Sequence, residues 1–176
     1  MKKVLVFGGS SSKSSINKKL ATYAASKLTE AAVNSIDLND FLMPLFSVDQ
    51  QSEFGIPEHA HQFLQLIQET DGIILSLSEH NGAYTVAFKN IFDWVSRIKP
   101  KLWSDKPMLL LSTSPGSRGA QSVLGLGIAK FPYMGAKITG TFSLPSFDEN
   151  FKEGKLVDES YKNKLLELVT QFENSL

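Results

Sequence analysis

Three short stretches of this chain carry the residue types that grip anions and planar polar groups: Gly8 to Asn17, Ser78 to Gly82 and Thr113 to Gly119. The first reads Gly8-Gly9-Ser10-Ser11-Ser12-Lys13-Ser14-Ser15-Ile16-Asn17. Its hydroxyls and backbone amides can donate to phosphate oxygens. An apolar helical pattern starts at Ile16, so Ser14 or Ser15 is placed to cap a helix, and the helix dipole adds attraction for an anion. The plainer reading is a solvated turn and cap. No Gly-Lys-Ser/Thr stands at P-loop spacing and no G-x-G-x-x-G occurs, so neither of those phosphate fingerprints is present. The second stretch combines a carboxylate, an imidazole and an amide in Glu79, His80 and Asn81. Glu79 reads better as a loop anchor accepting backbone amides than as a base. The third offers Ser114, Gly116 and Arg118 around Pro115.

Other chemistries are excluded by composition. The chain has no cysteine, which removes disulfides, thiolate catalysis and Cys-ligated metals. Eighteen Lys and Arg balance 18 Asp and Glu, so a surface built to coat nucleic acid or anionic lipid is not expected. His59-x-His61 lacks a third ligand nearby and reads as a surface pair. The apolar run Val4 to Phe7 is too short for a signal-peptide core or a membrane span. A cytoplasmic protein with no membrane partner is expected.

The elements that must position the three stretches follow from periodicity. Continuous apolar runs fit strands buried on both faces. They occur at Val4 to Phe7, Gly72 to Leu77 and Met108 to Ser112, with shorter candidates at Ser35 to Leu38 and Ala136 to Phe142. Helical spacing appears in Ile16, Leu20, Tyr23, Ala24, Leu28 and Ala31, then over Glu58 to Thr70, Val86 to Ile98, Ala120 to Lys130 and Asp158 to Glu173. Asn39 to Pro57 shows no period and reads as a long loop. Ser78 to Gly82 reads as a loop too. Trp103, Phe41, Leu42, Leu45 and Phe46 stand outside the periodic segments; apolar loop residues either tuck under or cover a partner. Strand and helix alternate, which predicts one α/β domain over 1–176: a flavodoxin-like three-layer sandwich with a five-stranded parallel sheet in the order 2-1-3-4-5. In such sheets ligands bind beyond the carboxyl ends of the strands, where all three stretches fall.

The three stretches resemble those of the NAD(P)H-dependent FMN reductase family, a flavodoxin-like group that includes quinone, chromate and azo-dye reductases. The family pattern Gly-Ser-x-Arg-x-x-Ser-x-Asn is matched by Gly9 to Asn17, with Leu20-Ala21 following. Pro-Glu-Tyr-Asn followed by Leu-Lys-Asn-x-x-Asp-Trp is matched by Ser78-Glu79-His80-Asn81 and Phe88-Lys89-Asn90-Ile91-Phe92-Asp93-Trp94. Ser-Pro-Gly with a further glycine is matched by Ser114-Pro115-Gly116 and Gly119. The resemblance implies FMN as cofactor and NADPH or NADH as co-substrate. It implies that Ser10, Ser12, Ser15, Ile16 and Asn17 hold the FMN phosphate. Ser78, Glu79, His80, Asn81 and Gly82 would lie along the ring and ribityl, and Ser114 and Gly116 would flank the other side. Arg118 is either solvated or a partner for the pyridine-nucleotide phosphate. Asp93 and Trp94 read as fold or subunit-contact residues. The implied reaction passes a hydride from nicotinamide to flavin and on to a quinone, free flavin or other small acceptor, in a homodimer or homotetramer.

Departures from the pattern bear on cofactor retention. Ser12 stands where the family has arginine, which removes a bidentate phosphate partner; Lys13 can replace it only as a point charge. Ser78 and His80 replace the proline and tyrosine, and an imidazole offers less stacking area than a phenol. Weaker FMN retention than in a typical relative is expected. A flavodoxin-like electron carrier, or a scaffold that has lost its flavin, are the alternatives; zero net charge argues against the carrier.

Overall fold

The computed structural model describes all 176 residues. The chain runs β1 (Lys2–Gly8), α1 (Ile16–Ala25), β2 (Ala31–Ser35), α2 (Val48–Phe54), α3 (Glu58–Glu69) and β3 (Gly72–Leu77). A short hairpin follows, β4 (Glu79–His80) and β5 (Ala83–Tyr84), then α4 (Val86–Ile98), β6 (Pro107–Thr113), α5 (Gln121–Lys130) and β7 (Lys137–Leu144). The one-turn α6 (Phe147–Asn150), a second hairpin of β8 (Phe151–Lys152) and β9 (Lys155–Leu156), and α7 (Glu159–Glu173) complete it. The five long strands pair in parallel in the order β2-β1-β3-β6-β7, which is 2-1-3-4-5 when only those strands are counted.

Two cores lie on opposite faces of the sheet, because successive side chains of a strand point to opposite sides. Leu5, Phe7, Ile73, Leu75, Met108 and Leu110 pack with Phe63 and Ile67 of α3, Phe88 and Val95 of α4, and Val123 of α5. Val4, Val6, Ile74, Leu109, Leu111 and Phe142 pack with Leu20 and Ala24 of α1 and with Leu165, Val169 and Phe172 of α7. Covering both faces is what makes these strands read as unbroken apolar runs. Each such side chain contributes roughly 1.5–3 kcal/mol on burial, so the strand ends are a stiff base for whatever the loops carry.

The structure corrects four readings of the sequence. Strand β2 is Ala31–Ser35, not Ser35 to Leu38. It is an edge strand whose residues are mostly exposed, so it needs no apolar run, and the buried Leu38 belongs to the 3₁₀ turn Leu38–Phe41 that follows. The helical pattern from Ile16 ends at Ala25; Leu28 packs after the helix and Ala31 opens β2. Asn39 to Pro57 is not one long loop, since it contains that 3₁₀ turn and α2. Helix α2 buries no residue, so it leaves no periodic trace. Ser78 to Gly82 is mostly hairpin, as described below.

The most specific motif, Lys89 to Trp94, proves structural. Asn90 Oδ1 accepts the Phe46 amide at 2.9 Å, and Asn90 Nδ2 and Trp94 Nε1 both donate to the Pro44 carbonyl, at 3.1 and 2.7 Å. Together they staple the Met43 to Phe46 segment to α4. Lys89 pairs with Asp93 at 2.7 Å along the helix. Trp103 and Phe41 tuck into the core, whereas Leu42 and Leu45 stay 72% exposed.

Candidate functional site

The carboxyl ends of β1, β3 and β6 meet around one side chain, Asn17. It is only 2% exposed. Its Oδ1 accepts from Ser76 Oγ at 2.7 Å and from the Thr113 amide at 3.0 Å, and its Nδ2 donates to the Thr113 carbonyl at 3.0 Å. The first turn of α1 is thereby tied to β3 and β6. Gly8 lets the helix come this close: a Cβ there would lie 2.5 Å from the Lys18 backbone nitrogen.

The preceding loop is held from below and open above. Ser15 caps α1 by accepting the Lys18 amide at 3.1 Å, the role that Ser14 or Ser15 was expected to fill. The Ser12 amide donates to Ser10 Oγ and the Ser15 amide to the Ser12 carbonyl, both at 3.1 Å. The amides of Ser11, Lys13, Ser14, Ile16 and Asn17 have no acceptor within the protein. On the underside, Lys18 Nζ meets Asp37 Oδ2 at 2.7 Å, and Asn39 Nδ2 donates to the Ser11 carbonyl at 3.0 Å. The Lys18 hydrogen bond, aided by the Asn39 amides, holds the Asp37 carboxyl below its ordinary range. Lys18 is therefore neutralised, and Lys13 is the loop's free cation.

The second stretch forms the β4–β5 hairpin. Asn81 and Gly82 both take positive φ, 51° and 77°, the signature of a two-residue type I′ turn. Asn-Gly is the standard sequence signal for that turn, so this feature was readable and was missed. Glu79 anchors the hairpin as expected, by accepting the Val123 amide at 2.9 Å. Helix α5 needs that acceptor: its cap residue, Ala120, is left-handed at φ 59° and offers no side-chain cap. Thr85, to which the sequence reading gave no positive role, accepts the Phe88 amide to cap α4 and donates to the Gly9 carbonyl at 2.7 Å. One hydroxyl thus joins the hairpin to the first loop.

The third stretch turns at Gly119, whose φ is +57° and where a Cβ would meet the Leu144 backbone at 2.9 Å. The Gly119 carbonyl accepts from Ser112 and Ser143 hydroxyls, each at 2.8 Å. Ser114 Oγ reaches the Gly116 carbonyl at 3.3 Å. Arg118 is exposed, with Nη2 3.2 Å from Ser122 Oγ and no carboxylate within 4.0 Å.

These parts enclose a polar cleft of about 280 Å³. Ser10, Ser12, Ser15, Ile16, Asn17, Ser78, Glu79, His80 and Ser114 line it; Ser14, Thr113 and Pro115 do so as well, without having been predicted. Asn81, Gly82 and Gly116 do not line it and are exposed. Asn17 contributes only its backbone amide, because its side chain is committed to the strands. Open amides over a helix start, backed by serine hydroxyls, suit a phosphate monoester. No group of three His, Cys, Asp or Glu is placed to hold a metal ion. His59 instead bonds the Leu42 carbonyl at 2.8 Å.

A parallel sheet wound on both sides, with an anion cradle at its switch point, defines a flavodoxin-like nucleotide-binding protein. The chain belongs to the NADPH-dependent FMN reductase family, whose profile matches residues 2–148. It is 31% identical over 175 residues to an NADPH:quinone oxidoreductase of Arabidopsis thaliana, covering 95% of this chain and 88% of that protein. It is 32% identical over 168 residues to a quinone reductase of Pseudomonas putida, covering 89% and 86%. In fold it is similar to FerB, a flavoenzyme NAD(P)H:(acceptor) oxidoreductase from Paracoccus denitrificans, with a TM-score of 0.77 at 24% identity over 99% of this chain and 96% of that one. No helix is long and apolar enough to cross a membrane.

Proposed function

We propose that this chain, as one domain over 1–176, is an FMN-dependent NAD(P)H oxidoreductase that delivers electrons to a quinone, a free flavin or another small acceptor. The observation that carries the proposal is the set of open amides from Ser11 to Asn17, fixed by the Asn17 bridge to β3 and β6. When bound, FMN supplies the redox chemistry, taking a hydride from the nicotinamide and giving two electrons to the acceptor. The protein's own part is binding and orientation. The amides and the dipole of α1 hold the phosphate, and Lys13 adds a point charge. Glu79 and His80 of the hairpin and Ser114 of the following turn line the same cleft and would lie along the ring. The bonds of Glu79 to the Val123 amide and of Thr85 to the Gly9 carbonyl hold the hairpin in place before any ligand arrives.

An exposed apolar cleft of about 350 Å³ beside the first loop, with Leu42, Leu45 and Val86 each more than 70% exposed, supports a homodimer or homotetramer. Dependence on NADPH or NADH supports a place in the cytoplasm. The test is a visible absorption spectrum of protein mixed with excess FMN and desalted, followed by NADPH oxidation with added quinone. A yellow protein with quinone-dependent NADPH consumption is expected; a colourless protein after FMN treatment overturns the proposal. Neither the electron-carrier reading nor the flavin-free scaffold gains an observation from the structure.

A further inference from the structure

A larger cleft lies beside the polar one above the strands. It holds about 740 Å³ and runs from the first loop along α1 to the β8–β9 hairpin, within the roughly 300–1,000 Å³ typical of small-molecule sites. The two clefts meet at Ser14 and Ser15, which line both. The larger one therefore begins where a phosphate held by the first loop would end.

Its walls have a definite chemistry. At the loop end stand Lys13 and Lys19, neither with a carboxylate within 4.0 Å; the third lysine there, Lys18, is already paired with Asp37. The apolar part is aromatic. Phe151 is half-buried, stacked on Phe147 with centroids 4.8 Å apart and edge-on to Tyr23 at 5.5 Å. Asp148 and Glu153 are exposed in the same cleft and have no cationic partner. Unpaired cations suit a phosphate, a supported aromatic face suits a purine, and free carboxylates suit the hydroxyls of a ribose.

We infer that this cleft is an adenylate site and that the protein binds FAD as well as FMN. The inference rests on the flavin reading of the first loop. In FAD the flavin phosphate is itself the link to the adenylate, so the shared Ser14 and Ser15 make the two clefts one continuous site. The outer phosphate then faces Lys13 and Lys19, and the adenine lies against Phe151. Free AMP and the adenylate of a pyridine nucleotide have the same chemistry but lack that covalent continuity.

Flavin-free protein titrated with FMN and with FAD, read by quenching of flavin fluorescence, decides the matter. Two variants leave the first loop alone: Lys19→Ala removes a free cation, and Thr22→Trp fills the cleft from an exposed position on α1. FAD is expected to bind at least as tightly as FMN. Lys19→Ala should weaken FAD about fivefold and Thr22→Trp tenfold or more, with FMN changed less than twofold in both. AMP should displace FAD but not FMN. If wild-type protein binds FMN and rejects FAD, or if both variants leave FAD binding unchanged, the adenylate site is wrong and the flavin reading stands. If the variants instead alter NADP⁺ affinity of FMN-loaded protein while FAD is excluded, the cleft serves the pyridine nucleotide and the inference fails. If neither flavin binds, the flavin reading falls and the adenylate site falls with it.

Discussion

Asn17 and Ser12 lie five residues apart and are opposites. Asn17 is buried, and its side chain makes three hydrogen bonds to two strands. Ser12 is exposed on a loop where five amides have no partner in the protein. The contrast shows how a binding loop keeps its donors free without becoming floppy. The loop spends only a few of its amides on internal bonds, because Asn17, the Ser15 cap and the Lys18–Asp37 pair fix it from beneath. Donors that are both unspent and fixed lose little entropy when an anion arrives.

The largest effect should come from breaking the fixed side of that contrast. Asn17→Leu leaves Ser76 Oγ and the Thr113 backbone without buried partners. Each such loss costs about 1–3 kcal/mol, so a total of roughly 3–5 kcal/mol is expected. At about 2–4 °C per kcal/mol for a chain of this size, the midpoint of thermal unfolding should fall by about 6–20 °C. Ser12→Ala should stay within about 0.5 kcal/mol. Equal effects of the two in calorimetry would erase the comparison. Gly8→Ala comes next: a Cβ 2.5 Å from the Lys18 nitrogen must displace the start of α1, at about 1–3 kcal/mol, and FMN binding should weaken with it. Fluorescence titration and urea unfolding of the same sample would read both. On the open side, Ser12→Arg supplies the bidentate phosphate partner that this chain lacks. It should tighten FMN about tenfold, equivalent to ~1.4 kcal/mol, and steepen the dependence on salt, with stability unchanged.

How far the sequence displayed all this depends on what each residue does. The apolar runs at Val4, Ile73 and Met108 were legible because burial on both faces demands them. Helix α4 was legible to the residue because its apolar face is long and regular. Strand β2 and α2 were not, since an exposed edge strand and a helix with no buried residue leave no pattern. In the site, the polar stretches announced the cleft, but not how labour is divided inside it. Asn17 matches the family pattern as a site residue, yet its side chain serves the strands, which only the registry of β3 and β6 reveals. The role of Thr85 was invisible for the same reason: its partner, the Gly9 carbonyl, lies 76 residues away. The Asn81-Gly82 turn, by contrast, was readable from two letters.

The smallest predicted effect sharpens the comparison from a third position. Tyr84 ends the hairpin, and its ring packs among Phe88, Phe92 and Phe131. Its hydroxyl is buried without any hydrogen-bond partner, the reverse of Asn17. Burial without compensation disfavours the charged phenolate, and the Tyr84 hydroxyl is pushed up from 10.0 to about 12. Folded protein then holds its proton between pH 10 and 12 while the unfolded chain loses it, so this group's share of stability is complete below pH 10 and declines above it. Tyr84→Phe removes an unpaired polar atom while keeping the ring. It should raise stability at pH 7 by about 1 kcal/mol, whereas Asn17→Leu lowers it by several. The gap between variant and wild type should widen above pH 10, because phenylalanine cannot ionise. Urea midpoints at pH 7, 10 and 11 would show this. A loss of stability at pH 7 would mean that the hydroxyl has a partner, and that this buried polar group belongs with Asn17 after all.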